Sequence, residues 1–223
     1  MEKQNLLVRC SELHKIMTKS RSKTNPLSET TKSYVMEKAK ESFYGIRPVI
    51  SNKYTEKGIM NEPLGIQMVN QVRFMDFRKN ENRKTIEWLT GECDIEGDER
   101  IIDIKCSWSF DTFPAFQEEA DKAVKKAGYD WQMRGYMMLY DKNLAEVVYC
   151  LTSTPKSLLT SFDVPELHDV EHIAIEDRMT SVKVERCNVL ETEIYNQYKI
   201  ANKYYKECMA ELENKHQKQL TWI

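Results

Sequence analysis

The 223-residue sequence contains only seven glycines, and none of them belongs to a glycine-rich phosphate-binding loop. This argues against a nucleotide site built on such a loop. No run of roughly 18 apolar residues occurs, so no transmembrane helix is predicted. The first residues also lack the basic and then apolar segments of a secretory signal. Together these absences predict a cytoplasmic protein.

Closely spaced cysteine pairs are absent as well. The six cysteines stand singly, at Cys10, Cys93, Cys106, Cys150, Cys187 and Cys208. Without a CxxC pair, the usual zinc and iron-sulfur sites are not expected. Several of these cysteines lie in apolar stretches, so we expect reduced thiols that pack as small hydrophobic side chains.

Strong net charge is absent too, but the charge is unevenly distributed. The net charge is -2, with 33 basic and 35 acidic residues. Residues 1–57 hold twelve Lys and Arg against six Asp and Glu, which leaves 21 against 29 in the remainder. A basic segment of this kind is a hint of polyanion binding.

The stretch 88–106 is predicted to form a β-hairpin, because alternating apolar and polar residues flank a turn at 96–99. The alternation assigns Leu89, Cys93, Ile95, Ile102, Ile104 and Cys106 to one face, and Thr90, Glu92, Asp94, Asp103 and Lys105 to the other. Asp94 and Asp103 would then lie opposite each other and could share a hard cation. The alternative is a half-buried sheet with an acidic, solvated face.

Around this hairpin the pattern is mainly helical. A short helix at 11–17 with Ser11 as its N-cap leads into a polar loop containing Arg21 and Lys23, which is either a phosphate-contacting loop or an ordinary surface connection. A helix at 28–44 ends at Gly45.

A second long helix is predicted at 54–72, with Glu62 in its first turns. Glu62 there would either complement the helix dipole or supply a further acidic ligand. Farther along, helices are predicted at 117–127, around Gln132 and Tyr136, and at 189–212, and strands at 145–151 and 180–187.

Four short motifs now stand in a fixed order: Gly58-x-x-x-Glu62, Asp94, Asp103-Ile104-Lys105 and Gln132-x-x-x-Tyr136. This order resembles the RecB and lambda-exonuclease branch of the PD-(D/E)xK nucleases. Residues 10–22, 102–106 and 184–186 are also similar to segments of the lambda-type phage exonucleases. Two departures are Asp103, where the lambda-type enzyme has Glu, and Asp94, which does not follow a proline.

The resemblance implies an α/β fold with a restriction-endonuclease-like core, in which a central mixed sheet is flanked by helices and a long C-terminal helix follows. It further implies one nuclease domain over 1–223. Its expected parts are a basic, helical DNA-contacting part at 1–57, a catalytic core at 58–152, and a C-terminal strand and helix at 153–223.

The resemblance also implies the site residues. Asp94, Asp103 and the backbone carbonyl of Ile104 would hold Mg²⁺ or Mn²⁺, with Glu62 as an outer ligand to one or two ions. Lys105 would orient or deprotonate the attacking water, and Gln132 would hydrogen-bond near the metal or the substrate phosphate. The expected DNA-binding residues are Ser11, Arg21, Lys23 and Tyr136, with Tyr136 either packing or contacting the DNA backbone.

Enzymes of this kind digest one strand of linear duplex DNA from its 5′ end and leave a 3′ single strand for recombination. The resemblance therefore also implies double-stranded DNA ends as substrate, a single-strand annealing protein as partner, a homotrimeric ring, and the cytoplasm of a bacterial or phage-infected host.

Several alternatives stay open on the sequence. They are a RecB-like endonuclease or junction-cutting nuclease, an inactive DNA-end-binding protein, and a structural metal protein built on His168 and His172. A group of aromatic side chains either stacks on splayed bases or belongs to the core. This group comprises Trp108, Phe110, Phe113 and Phe116.

Overall fold

A computed structural model describes residues 5–22, 24–49 and 51–220. Within these residues the strands are β1 (Val8–Arg9), β2 (Lys84–Thr85), β3 (Leu89–Gly91), β4 (Ile95–Glu96), β5 (Arg100–Ser107), β6 (Leu144–Leu151) and β7 (Met179–Glu185). The α-helices are α1 (Leu13–Ile16), α2 (Glu29–Tyr44), α3 (Lys53–Arg73), α4 (Gln117–Ala127), α5 (Tyr129–Tyr140) and α6 (Asn188–Leu220).

The larger sheet has the strand order β4-β5-β6-β7. β5 and β6 run parallel, with Asp103 beside Val147, and both outer pairs are antiparallel. Helix α3 covers one face, where Ile66 packs in a cluster with Ile104. Helix α5 covers the other face with its own buried cluster. The predicted mixed sheet flanked by helices is thereby confirmed.

The hairpin prediction holds for β4 and β5 but is wrong for the residues before them. Leu89 lies in a second, three-stranded sheet of order β1-β3-β2, and the chain leaves that sheet before β4 begins. Leu89 and Cys93 therefore pack in the core below α5, whereas Ile95 and Ile102 pack below α3. The break between the sheets resets the alternation, so one face cannot hold all six apolar residues.

The alternative of a half-buried sheet with an acidic, solvated face is wrong for Asp103. Asp103 is only 2% exposed, because the sheet face that carries it is covered by α5. A strand that is buried on both faces needs an apolar or fully paired side chain at every position. Asp103 meets that rule only through partners from other positions, Gln132 and Lys105, and such a buried, paired carboxylate is a functional candidate.

Three helices show how well local sequence signals predict where a helix begins and ends. Helix α2 begins after Ser28, whose side chain accepts a hydrogen bond from the Thr31 amide, and ends at Gly45 with φ 66°, as predicted. Ser11 does not cap a helix: it lies in a 3-10 turn that precedes α1. Helix α3 starts earlier than predicted because Asn52 caps the Tyr54 and Thr55 amides.

Two consequences follow from the length of α3, which spans Lys53–Arg73. Glu62 lies near the middle of the helix rather than in its first turns. The predicted division between residues 57 and 58 also falls inside this helix, so the basic part and the catalytic core share one rigid element.

The long C-terminal helix is confirmed as α6 and buries Ile194, Tyr198 and Tyr205. All six cysteines are free thiols, and Cys10, Cys93 and Cys150 are buried. In the ranges described above, no helix is long and apolar enough to cross a membrane.

Candidate active site

Asp94 caps an open edge of the central sheet. β4 pairs with β5 only at Ile95 with Ile102 and at Glu96 with Ile101. Beyond that point the Ile104 amide donates to Asp94 Oδ2 at 2.6 Å instead of to a strand. The amide and carbonyl of one strand residue point to the same side, so the Ile104 carbonyl faces the same edge.

Two side chains hold the Asp103 carboxylate, one at each oxygen. Its Oδ1 accepts a hydrogen bond from Gln132 Nε2 at 3.2 Å, and its Oδ2 lies 2.5 Å from Lys105 Nζ. Gln132 Nε2 also donates to the Tyr136 hydroxyl at 2.9 Å. The i, i+4 pair on α5 thus fixes the orientation of the buried carboxylate.

The charges in this cluster perturb one another. Burial, followed by the negative charge of Asp103, raises the pKa of Asp94 to about 8. Burial opposes the charged form of Lys105, but Asp103, Tyr129 and Asp94 outweigh it, so the pKa of Lys105 is raised above its ordinary value. The cluster therefore stabilises added positive charge.

Helix α3 delivers Glu62 to the same place. Glu62 shares one helical stripe with Ile66 and Val69, which are buried against the sheet. Gly65 allows the close approach: a Cβ there would lie 2.4 Å from Ile104 Cγ2. Glu62 Oε1 is buried and lies 2.9 Å from Lys79 Nζ, so that oxygen is ion-paired.

A cleft of about 630 Å³ brings these groups together. Its lining includes Glu62, Asp94, Ile104 and Lys105, and Asp103 lies beneath it, bound to Lys105. An all-oxygen donor set with crowded negative charge suits Mg²⁺ or Mn²⁺. In the described ranges, however, no three His, Cys, Asp or Glu side chains already converge into a metal cage.

No protein-family model matches the sequence, and a search of curated proteins finds no match either. The structure is similar to the crystal structure of a phage-related exonuclease from Haemophilus somnus 129PT, with a TM-score of 0.88. The two sequences are 40% identical, and the match covers 93% of this chain and 97% of the other. The chain belongs to the phage-related exonuclease family. This membership confirms the resemblance to the lambda-type phage exonucleases.

An alkaline exonuclease from Laribacter hongkongensis, LHK-Exo, has the same fold at lower sequence similarity. Its TM-score is 0.62 at 16% identity, and the match covers 97% of this chain and 95% of that one. The structure of LHK-Exo in complex with dAMP matches at 17% identity, with a TM-score of 0.62, over 99% of this chain and 96% of that one. Because both identities are low, these likenesses bear on the fold alone.

None of the predicted DNA-binding residues that the structure describes lines the cleft. Arg21 is exposed and lines a separate pocket of about 670 Å³ next to the start of α2, and Ser11 lines neither that pocket nor the cleft. Lys23 lies outside the described residues. Tyr136 is 4% exposed, so its burial favours the packing role over contact with DNA.

The metal-protein alternative based on two histidines has no support in the geometry. His168 is buried, and its Nδ1 lies 3.0 Å from Thr154 Oγ1 and 3.2 Å from the Trp108 carbonyl. His172 is exposed, and no residue from His168 to His172 is helical. His168 is therefore a buried, hydrogen-bonded side chain and His172 a surface one.

The aromatic group divides between core and surface. Phe113 is buried, Phe110 and Phe116 are exposed, and Trp108 lines the cleft. Core packing thus accounts for one member, and stacking on bases stays open for the others.

The sequence did not single out two lysines that lie near the cleft. Lys79 forms the ion pair with Glu62, and Lys57 is fully buried below the cleft floor. Lys79 lies in a polar stretch without periodicity, and Lys57 falls at an ordinary position of an amphipathic helix. Only the tertiary contacts distinguish them.

Proposed function

We propose that this protein is a divalent-cation-dependent deoxyribonuclease that degrades one strand of linear duplex DNA from the 5′ end. The observation that carries the proposal is the convergence of Glu62, Asp94, the Ile104 backbone and Lys105 on one cleft, with Asp103 beneath it. Membership of a phage-related exonuclease family supports the same reaction class.

Asp94, Asp103 and the Ile104 carbonyl are the groups that would hold Mg²⁺ or Mn²⁺, with Glu62 as the outer ligand to one or two ions. The bound ion would lower the pKa of a water molecule and neutralise charge on the phosphate. Gln132 and Tyr136 do not reach the cleft surface. Their part is to keep the Asp103 carboxylate in one orientation.

Lys105 is the residue assigned to the attacking water. Its ammonium lies 2.5 Å from Asp103 and 4.6 Å from the centre of the Tyr129 ring, so two neighbours fix its position at the cleft. A positioned ammonium can orient the water by a hydrogen bond and can stabilise the negative charge that develops on the phosphate oxygens.

The 5′ polarity rests on Arg21. A guanidinium can form a bidentate pair with a terminal phosphate, which carries more charge than an internal one. Arg21 lines a pocket with hydroxyl groups from Ser20, Ser22 and Thr24, and the N-terminal end of α2 adds favourable partial positive charge. Lys23 would supplement this charge.

The remaining parts of the proposal concern the biological setting. The product would be a 3′ single strand that serves recombination and passes to a single-strand annealing protein. A homotrimeric ring around the duplex and a location in the cytoplasm of a bacterial or phage-infected host belong to the same proposal.

The test of this function uses three substrates: linear duplex with 5′-phosphate ends, the same duplex with 5′-hydroxyl ends, and a covalently closed circle. With Mg²⁺, mononucleotides should appear from the linear substrates only, fastest from phosphorylated 5′ ends. Cutting of the closed circle would favour the endonuclease alternative. Digestion from the 3′ end would overturn the proposed polarity.

A further inference from the structure

The segment between α3 and β2 holds Lys79 in a fixed place beside the acidic cluster. On one side of Lys79, the Phe77 amide and carbonyl are both bound to the Asn70 side chain at 2.8 Å. On the other side, the Asn80 amide donates to the Asp94 carbonyl at 2.7 Å, and Asn80 Nδ2 donates to the Cys93 carbonyl at 2.9 Å. The residues on both sides of Lys79 are therefore anchored, Phe77 to α3 and Asn80 to the segment Cys93–Asp94 that precedes β4.

The side chain of Lys79 crosses from this segment to α3. Its Nζ lies 2.9 Å from Glu62 Oε1, and its side chain is 50% exposed against 20% for Glu62. The hydrogen bond and charge of Glu62 come first among the causes that raise the pKa of Lys79, and Asp94 and Glu92 add to them. Lys79 thus lies in the field of three acidic groups, of which Glu62 and Asp94 line the cleft, and its ion pair is with Glu62.

Each of two carboxylates at the site is consequently matched with its own lysine. Lys105 is bound to Asp103 and Lys79 is bound to Glu62. The two differ in what surrounds them. Lys105 is packed on Tyr129 within the cleft, whereas Lys79 is on the rim, where its flexible stem can turn into solvent.

We propose that Lys79 is a positioning residue that holds Glu62 as its counter-ion and competes with a divalent cation for that carboxylate, so that it sets the cation affinity of the site. This inference rests on the proposed function, because it takes the cleft to be the cation site. A carboxylate oxygen engaged by an ammonium at 2.9 Å cannot ligate an ion in the same geometry. Cation binding through Glu62 Oε1 therefore has to break the pair, and binding through Oε2 would place two cations on one carboxylate, so the ammonium opposes the ion in either case.

The expected change in cation affinity follows from the exposure of the Lys79–Glu62 ion pair. A half-exposed ion pair contributes up to about 1 kcal/mol, which corresponds to roughly a fivefold change in an equilibrium constant. Lys79→Met keeps the length of the side chain and removes the charge. It should therefore bind Mn²⁺ about fivefold more tightly than the wild type.

The experiment measures Mn²⁺ affinity directly, from the electron paramagnetic resonance signal of the free ion, for the wild type, Lys79→Met, Glu62→Gln and the double variant. Lys84→Met is the matched control, because Lys84 Nζ lies at the same distance of 2.9 Å from a glutamate oxygen, that of Glu96, outside the cleft. Thermal melting of each variant checks that all are folded. Digestion of linear duplex by the wild type with Mg²⁺ is run on the same preparation.

The expected result is tighter Mn²⁺ binding in Lys79→Met, no gain from the same substitution when Glu62 is already Gln, and no gain in Lys84→Met. Unchanged affinity in Lys79→Met, or an equal gain with and without Glu62, would overturn the inference while leaving the nuclease proposal intact. Absence of Mn²⁺ binding and of digestion in the wild type would refute the proposed function as well.

Discussion

Replacement of Lys57 by Met tests whether the cleft floor depends on one buried ammonium. Lys57 is 0% exposed, and its Nζ donates to the carbonyls of Ser107 (2.6 Å), Trp108 (2.9 Å) and Thr152 (2.7 Å) and to Thr154 Oγ1 (2.9 Å). These oxygens belong to the ends of β5 and β6 and the residues just after them. The lysine therefore ties α3, which carries Glu62, to the strand that carries Asp103.

The magnitude follows from two opposing contributions. Loss of charge-assisted hydrogen bonds to three carbonyls should cost about 6 kcal/mol at roughly 2 kcal/mol each. Against this, burial lowers the pKa of Lys57 from 10.5 to about 8, which corresponds to a cost of about 3 kcal/mol that a methionine avoids. We expect Lys57→Met to lower the free energy of unfolding by about 3 kcal/mol and the melting temperature by roughly 9 °C.

Thermal and urea unfolding measure this difference, with Lys40→Met on the exposed side of α2 as the control that should change little. The pH dependence gives a second test. As the pH rises through the lowered pKa of Lys57, the folded state loses its proton before the unfolded state does, so the wild type gains stability that the variant cannot gain. The difference in unfolding free energy between the wild type and Lys57→Met should widen by about 2 kcal/mol between about pH 7.5 and about pH 10. A Lys57→Met protein with the same melting temperature as the wild type would show that the cleft floor does not depend on this ammonium.

Three further predictions concern single positions. Gly58 lines the cleft, and a Cβ there would meet nothing within 4 Å. Gly58→Ala should raise the melting temperature by about 3 °C through helix propensity but slow digestion, because the added methyl group narrows the space through which a DNA strand approaches. Gly65→Ala is the control and should lower the stability. Arg21→Ala should slow digestion of 5′-phosphorylated ends far more than of 5′-hydroxyl ends, and equal slowing would reduce Arg21 to a general backbone contact. His168→Ala should cost about 1–3 kcal/mol of stability while His172→Ala costs almost none, and a loss of bound zinc in either would revive the structural metal site.

The sequence identified the helices and the site motifs because their signals are local. Ser28 and Gly45 mark the ends of α2 through capping chemistry, and the spacing of Gln132 and Tyr136 determines that they share a helix face. The order of the motifs carried the fold class, which the similarity to a phage-related exonuclease confirms.

The features that the sequence did not predict depend on contacts between distant segments of the chain. Nothing near Leu89 signals that β3 joins a different sheet from β4, so the alternation was extended too far. The burial of Asp103 results from the position of α5, which lies beyond the reach of periodicity. Lys57 and Lys79 acquire their roles only through partners supplied by other elements, at sequence distances that no motif records.

The most direct test of the active-site assignment is digestion of end-labelled linear duplex by Lys105→Ala and Asp103→Ala, together with Mn²⁺ and DNA affinity for both. Lys105→Ala should abolish cleavage while cation and DNA binding are largely kept, because the substitution removes the group that orients water and no ligand. Asp103→Ala should lose both cleavage and tight cation binding. Cleavage by purified Lys105→Ala at the wild-type rate would contradict the assignment of the cleft as the nuclease site.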